Sequence, residues 1–335
     1  MKILAFTLLM MGAPPTEVSG VVITPPPVVE EADLTAKPSG QDVESAFPPS
    51  LRGQTISVDV KMRCLVDAAG KPKRCDLLAE SPYGLGLGKI GTDLMERKGR
   101  FKPRRIDGKP VDGGQVEFTL VMSEMGRPER LITNPVWAAA PSLEEMTAAW
   151  PADRQGDEAV VVLRCTMRRS GELEQCRAVN DADKVLVGAA RTLSERFRVR
   201  LTPEDARRAV RADVFVSLRF FNPAGASGQE RRVRAPEWIV TPEEKVVQAV
   251  YPDRAVEAGI FSGRGVADCL VAPDGTLADC RVAAERPDDA GFGEAAAQVA
   301  GQLRLNLWSQ DGRPTAALRI RLPIDFNQAP DEAAK

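Results

Sequence analysis

The chain has 335 residues, 43% hydrophobic side chains and a formal charge of −2, the composition of a soluble globular protein of two or three domains. Near-neutrality gives no reason to expect nucleic acid or an anionic membrane as partner. The lack of histidine removes imidazole-based triads, metal ligands and proton shuttles together.

The chain opens on MKILAFTLLMMGA, one lysine followed by about eleven mostly apolar residues. That is the length of a signal-peptide core and well short of the roughly 20 residues a membrane span needs. Export is expected, with residues 1–20 as signal peptide, cleaved after Gly20 or after Ala13, and with no stable membrane insertion. No cysteine lies nearby to carry a lipid. Residues 21–33, with Pro25-Pro26-Pro27, read as a disordered leader, and residues 328–335 as a disordered tail.

Beyond the leader one pattern occurs three times, and internal repetition governs the fold that follows. Each copy begins with a proline (Pro38, Pro141, Pro242) and a short helical stretch, SGQDVESA, SLEEMTAA or EEKVVQAV. An aromatic-proline pair then ends the helix: Phe47-Pro48, Trp150-Pro151, Tyr251-Pro252. Thirteen residues before each aromatic stand Leu34, Trp137 and Trp238.

Next come CLVDAAGKPKRC, CTMRRSGELEQC and CLVAPDGTLADC, each a cysteine pair with ten residues between and a glycine (Gly70, Gly171, Gly275) at one offset. A helical period follows: Leu87, Ile90, Leu94 and Met95; then Val185, Ala189, Ala190 and Leu193; then Phe292, Ala295, Ala296, Val299 and Leu303. Each copy closes on a strand-like run, QVEFTLVM, DVFVSLRF or ALRIRLPIDF. The expected fold is α+β: three tandem small modules over 34–125, 133–222 and 236–327, each short helix–β-hairpin–helix–β-strand.

All six cysteines fall in the three pairs. Zinc sites favour two to four intervening residues, and a dithiol redox site favours C-x-x-C at a helix start. Neither spacing occurs, and no metal or other cofactor is expected. Two strands joined by a tight turn bring such cysteines within disulfide range if a bulge keeps them in phase. We expect intramodular disulfides Cys64–Cys75, Cys165–Cys176 and Cys269–Cys280, which suits an exported chain.

Tyr251-Pro252, Ala255, Gly259, the hairpin around Asp274-Gly275, Asp311-Gly312-x-Pro314 and RIRLPIDF together resemble the TonB C-terminal domain. The first copy carries the late part of that pattern as RFKPRRIDGKPV; the second has TPEDARRAVRADV there and is the most diverged. The resemblance implies a periplasmic domain of the Gram-negative envelope that captures an extended segment of an outer-membrane transporter by adding it to a sheet edge. Carried over, the partner-binding positions are Gln248, Ala249, Val250 and Tyr251 before the hairpin, and Arg319, Ile320 and Arg321 in the last strand. An aromatic before proline also serves as a plug at a domain end.

The chain departs from an energy transducer of that family in lacking a membrane-length apolar stretch and a long proline-rich spacer. Two functions follow as expectations. One is a periplasmic protein that binds transporter segments, or works with a TonB-type system, in transport across the outer membrane. The other is a structural adaptor between envelope proteins with no part in uptake. Strand edges in triplicate would also permit self-association. No nucleophile elbow, phosphate loop or metal cluster is present in the sequence, so enzymatic activity is not expected.

Overall fold

The computed structural model describes residues 29–124, 130–132, 134–203 and 211–327. The expected signal peptide, residues 21–28 and the expected tail lie outside the described residues.

The first unit starts with β1 (Val29–Glu30), β2 (Asp33–Ala36) and a short helix, Gly40–Ala46. A hairpin of β3 (Ile56–Val66) and β4 (Pro72–Ser81) leads into the helix Leu87–Lys98. Then come β5 (Arg100–Lys102), the small hairpin β6 (Arg105–Ile106) and β7 (Lys109–Pro110), and the long β8 (Gly114–Glu124). The second unit runs β9 (Leu131–Ile132), β10 (Trp137–Ala139), helix Leu143–Ala148, β11 (Glu158–Met167), β12 (Leu173–Ala178), helix Lys184–Ser194, β13 (Arg198–Val199) and β14 (Asp213–Phe221). The third runs β15 (Trp238–Val240), helices Glu244–Ala249 and Asp253–Glu257, β16 (Ser262–Val271), β17 (Leu277–Arg286), helix Phe292–Ala300, β18 (Arg304–Leu305) and β19 (Arg319–Asn327).

The main sheets have the orders β4-β3-β8, β12-β11-β14-β9 and β17-β16-β19. A second pairing recurs with them: Leu34 lies opposite Phe101, Trp137 opposite Val199, and Trp238 opposite Leu305. The arrangement is α+β. Part of the expected leader is ordered, because Val29–Glu30 pairs with Arg105–Ile106 and Asp33–Ala36 with Arg100–Lys102. Backbone pairing outweighs the nearby proline run that suggested disorder there.

Local chemistry explains the elements. Ser39 with Asp42, and Ser142 with Glu145, form reciprocal capping boxes that start the first two short helices. The Glu80 carboxylate accepts from the N–H groups of Leu85 (2.9 Å) and Gly88 (2.8 Å), satisfying orphan donors where the long helix begins. Glu285 does the same for Gly293 at 2.6 Å in the third unit. The second long helix presents the expected face at Ala189, Ala190 and Leu193 but not at Val185. Asp183 caps Val185 and Leu186, so Leu186, Ala190 and Leu193 turn inward while Val185 is 64% exposed.

The hairpin turns are built alike. Gly70, Gly171 and Gly275 donate to the carbonyl three residues earlier at 3.0, 3.0 and 2.9 Å and have φ of 77°, 86° and 87°. That is a type I turn closed by a left-handed bulge residue. Register shifts at Leu65/Val66, Arg164/Thr166 and Asp268/Leu270 adjust the phase. Cys64–Cys75, Cys165–Cys176 and Cys269–Cys280 are bonded, with Cα separations of 4.0, 4.1 and 4.0 Å. Each turn glycine also accepts, on its carbonyl, the N–H of Phe101, Val199 or Leu305. A Cβ at Gly275 would lie 2.2 Å from Leu305 O. Gly275→Ala is therefore expected to cost more than about 1 kcal/mol, read as a lower denaturation midpoint; an unchanged midpoint would show that the turn tolerates a side chain.

Each unit has a hydrophobic cluster, but the clusters cross unit boundaries. Val162, Val179 and Phe215 of the second unit pack into the first cluster, and Trp308 of the third packs into the second. The middle sheet is covered on both faces: Val161, Val162 and Leu163 are all buried, as are Val214, Phe215 and Val216. The first unit reaches it through Tyr83, whose carbonyl accepts from Ser217 Oγ at 2.6 Å.

Candidate functional site

An exposed last strand offers unpaired backbone donors and acceptors to any extended segment. The three candidate edges are those of β8, β14 and β19, and they differ.

The edge of β14 is occupied. Its N-terminal end pairs in parallel with β9, and Asp213 N–H donates to Arg130 O at 2.7 Å. Further along, the loop Asp311-Gly312-Arg313-Pro314 lies against it, with Arg219 N–H donating to Gly312 O at 2.9 Å. Trp308 Nε1–H donates to Ser217 O at 2.9 Å, and Arg219 Nη1 meets Asp311 Oδ2 at 2.9 Å. The Arg313 guanidinium stacks 4.2 Å from the Phe221 ring.

The edge of β19 is partly occupied. Arg319 N–H donates to Arg231 O at 2.8 Å, and Arg319 O accepts from Val233 N–H at 2.9 Å. Alternation places the backbone groups of residues 321, 323, 325 and 327 on the same open side. Pro323 has no N–H to give there, which suits an edge strand.

The edge of β8 is open. β3 is its one strand neighbour among the described residues, and no backbone group from Gln115 to Glu124 is bonded on the outer side among them. Gln115, Glu117, Thr119 and Val121 are exposed.

The residues singled out in the sequence fall in two places. Ile320 is 3% exposed and belongs to the third cluster. Arg319 and Arg321 point to the other face, where Arg319, Arg232 (2.9 Å) and Arg321 (3.3 Å) surround the Asp268 carboxylate. Gln248 and Ala249 end the helix Glu244–Ala249, and Val250 is half-buried beside them. The Tyr251 ring lies edge-on to Phe292 and Phe326, with centroids 5.5 and 6.4 Å away, and its hydroxyl donates to Ile260 O at 2.9 Å. Tyr251 thus plugs the end of the domain. A shallow cleft of about 410 Å³ runs past residues 249–254 to the helix Phe292–Ala300.

Burial alone would raise the Asp268 pKa, but hydrogen bonds from Arg319, Arg232 and Arg321 outweigh it and lower it to about 2. A depressed carboxylate stabilises the fold above its unfolded pKa and loses that contribution as pH falls through the folded value. The network should supply about 2 kcal/mol at neutral pH, lost between about pH 4 and pH 2. Asp268→Asn should show this as a gap in unfolding free energy that closes over that range. A gap independent of pH would mean the cluster has no such role.

The open edge of β8, with β14 and β19 filled or guarded, escaped the sequence reading. One signal was present: DVFVSLRFF is almost continuously apolar, the mark of a strand covered on both faces, whereas QVEFTLVM and RIRLPIDF alternate.

Residues 247–328 match the family model described as Gram-negative bacterial TonB protein C-terminal, and that stretch is a TonB C-terminal-like domain. A protein of Caulobacter vibrioides, named "Uncharacterized protein", is 37% identical over 59 residues, 18% of this chain and 59% of that protein. No solved structure matches. No helix among the described residues is long and apolar enough to cross a membrane.

Proposed function

We propose that this chain is a periplasmic, non-enzymatic binding protein of the Gram-negative envelope, built from three TonB-C-like modules. It captures extended segments of outer-membrane transporters or other envelope proteins by strand addition, and so takes part in transport across the outer membrane. The observation that carries this reading is the unpaired outer side of β8, joined to a third unit that matches the family. Capture is assigned to β8 first and to the free half of β19 second. The middle module acts as a spacer, since its own edge is filled.

That filled edge is also the observation favouring the second reading, a structural adaptor with no role in uptake. One experiment separates the two. A photo-crosslinking residue replaces the exposed Thr119 in intact cells, with the buried position 320 as comparison, and captured peptides are identified by mass spectrometry. N-terminal segments of outer-membrane transporters caught from 119 support strand capture. Other envelope proteins alone, with no transporter, favour the adaptor.

A further inference from the structure

Each unit has a corner where the hairpin turn meets the strand following the long helix. In the third unit the corner is an interface. Asn306 and Trp308 are 0% and 4% exposed, and Asn306 Nδ2–H donates to Pro135 O of the second unit at 2.8 Å. In the second unit the turn carries Glu172 and Glu174, both within ion-pair distance of Arg168, and Arg169, Arg198 and Arg200 are exposed around it. In the first unit the corner is exposed and basic.

Lys71 and Lys73 follow the turn at Gly70, and Lys102 follows Phe101, whose N–H donates to Gly70 O at 3.0 Å. Lys109 lies in the neighbouring hairpin, opposite Ile106. All four lysines are exposed, and their ammonium groups have no carboxylate partner among the described residues. Residues 61–109 hold thirteen Lys and Arg against six Asp and Glu, in a chain whose formal charge is −2.

We propose that this corner docks an acidic, extended polypeptide segment, independently of strand capture at β8. Two observations point to a polypeptide. The corner already holds one: Val29–Glu30 and Asp33–Ala36 pair along β6 and β5, with Glu31 beside Arg104 at 3.5 Å. The same corner of the third unit binds protein backbone. The unpaired lysines supply complementary charge for further carboxylates, and such pairing governs partner choice and encounter rate.

The test uses the full chain and a fluorescein-labelled twelve-residue peptide of alternating Val and Glu, read by anisotropy at low ionic strength. Replacing Lys71, Lys73, Lys102 and Lys109 by Gln should weaken binding about tenfold and flatten its salt dependence. Replacing Lys37, Lys89, Lys184 and Lys245 by Gln changes the net charge equally and should leave binding unchanged. Circular dichroism checks that both variants fold; should the first not, Lys102→Glu alone should still weaken binding. Equal weakening by both sets would overturn the proposal, leaving only net charge. Binding to phosphatidylglycerol vesicles through these lysines, with no binding of the peptide, would overturn it in favour of a membrane contact.

Discussion

Replacing Trp308 by alanine is expected to cost about 3–5 kcal/mol and to loosen the third unit from the second. The indole is 4% exposed. It sits edge-on to Phe197 at 4.8 Å, and Phe197 in turn packs 4.7 Å from Trp137, so three rings from distant parts of the chain share one pocket. Truncation leaves a cavity that the rigid middle sheet cannot close, and removes the donor to Ser217 O. Because a multi-unit chain need not unfold in one step, the effect should be followed by denaturant titration together with limited proteolysis of the linker near residues 223–237. Trp308→Phe separates the parts: the ring is largely kept, and only the hydrogen bond, worth about 1 kcal/mol, is lost. Near-native stability of Trp308→Ala with no new cleavage would show that the indole does not hold the units together.

The second large effect concerns the disulfides. Each bond closes a sequence separation of 11 residues, for which loop closure predicts about 3 kcal/mol per unit. The third unit should be the most dependent on its bond. Its cluster is rich in small residues (Ala255, Ala267, Ala295, Ala296, Ala300), whereas the second holds Trp137, Trp150, Phe197, Phe220 and Trp308. Less apolar surface per residue leaves a smaller margin against chain entropy. Cys269→Ala with Cys280→Ala should therefore produce the earliest transition in calorimetry, ahead of Cys165→Ala with Cys176→Ala. Equal or reversed sensitivity would mean that burial in the larger cluster does not compensate for the missing bond.

Much of the fold was legible because the sequence contains its own comparison. Leu34, Trp137 and Trp238 stand at one offset from the aromatic-proline pair, and all three face the strand after the long helix. The turn glycines and cysteine spacing led to bonded pairs in the same way. What escaped depends on contacts between copies. Trp308 and Ser217 are 91 residues apart, and no periodicity marks one as the other's partner. The Asp311-Gly312-x-Pro314 stretch stood in the sequence only as a mark of resemblance, yet it covers the edge of β14. Val185 fitted the apolar period, but with Asp183 capping the helix it is Leu186 that turns inward with Ala190 and Leu193. The edges themselves were visible as strands; which of them was free was decided by linkers and by a loop of the neighbouring unit.

Boundaries drawn in the sequence do not coincide with boundaries in the packing. Excising the second unit would bare Val160, Val162 and Phe215 on one face and open the ring pocket at the other end. Such a fragment should aggregate, and dissection by expressing single copies would report on damage rather than division of labour. The smallest pieces worth producing are neighbouring pairs, first with second or second with third. One pattern occurs three times in the sequence, but shared cores leave a molecule that does not come apart along its own repeats.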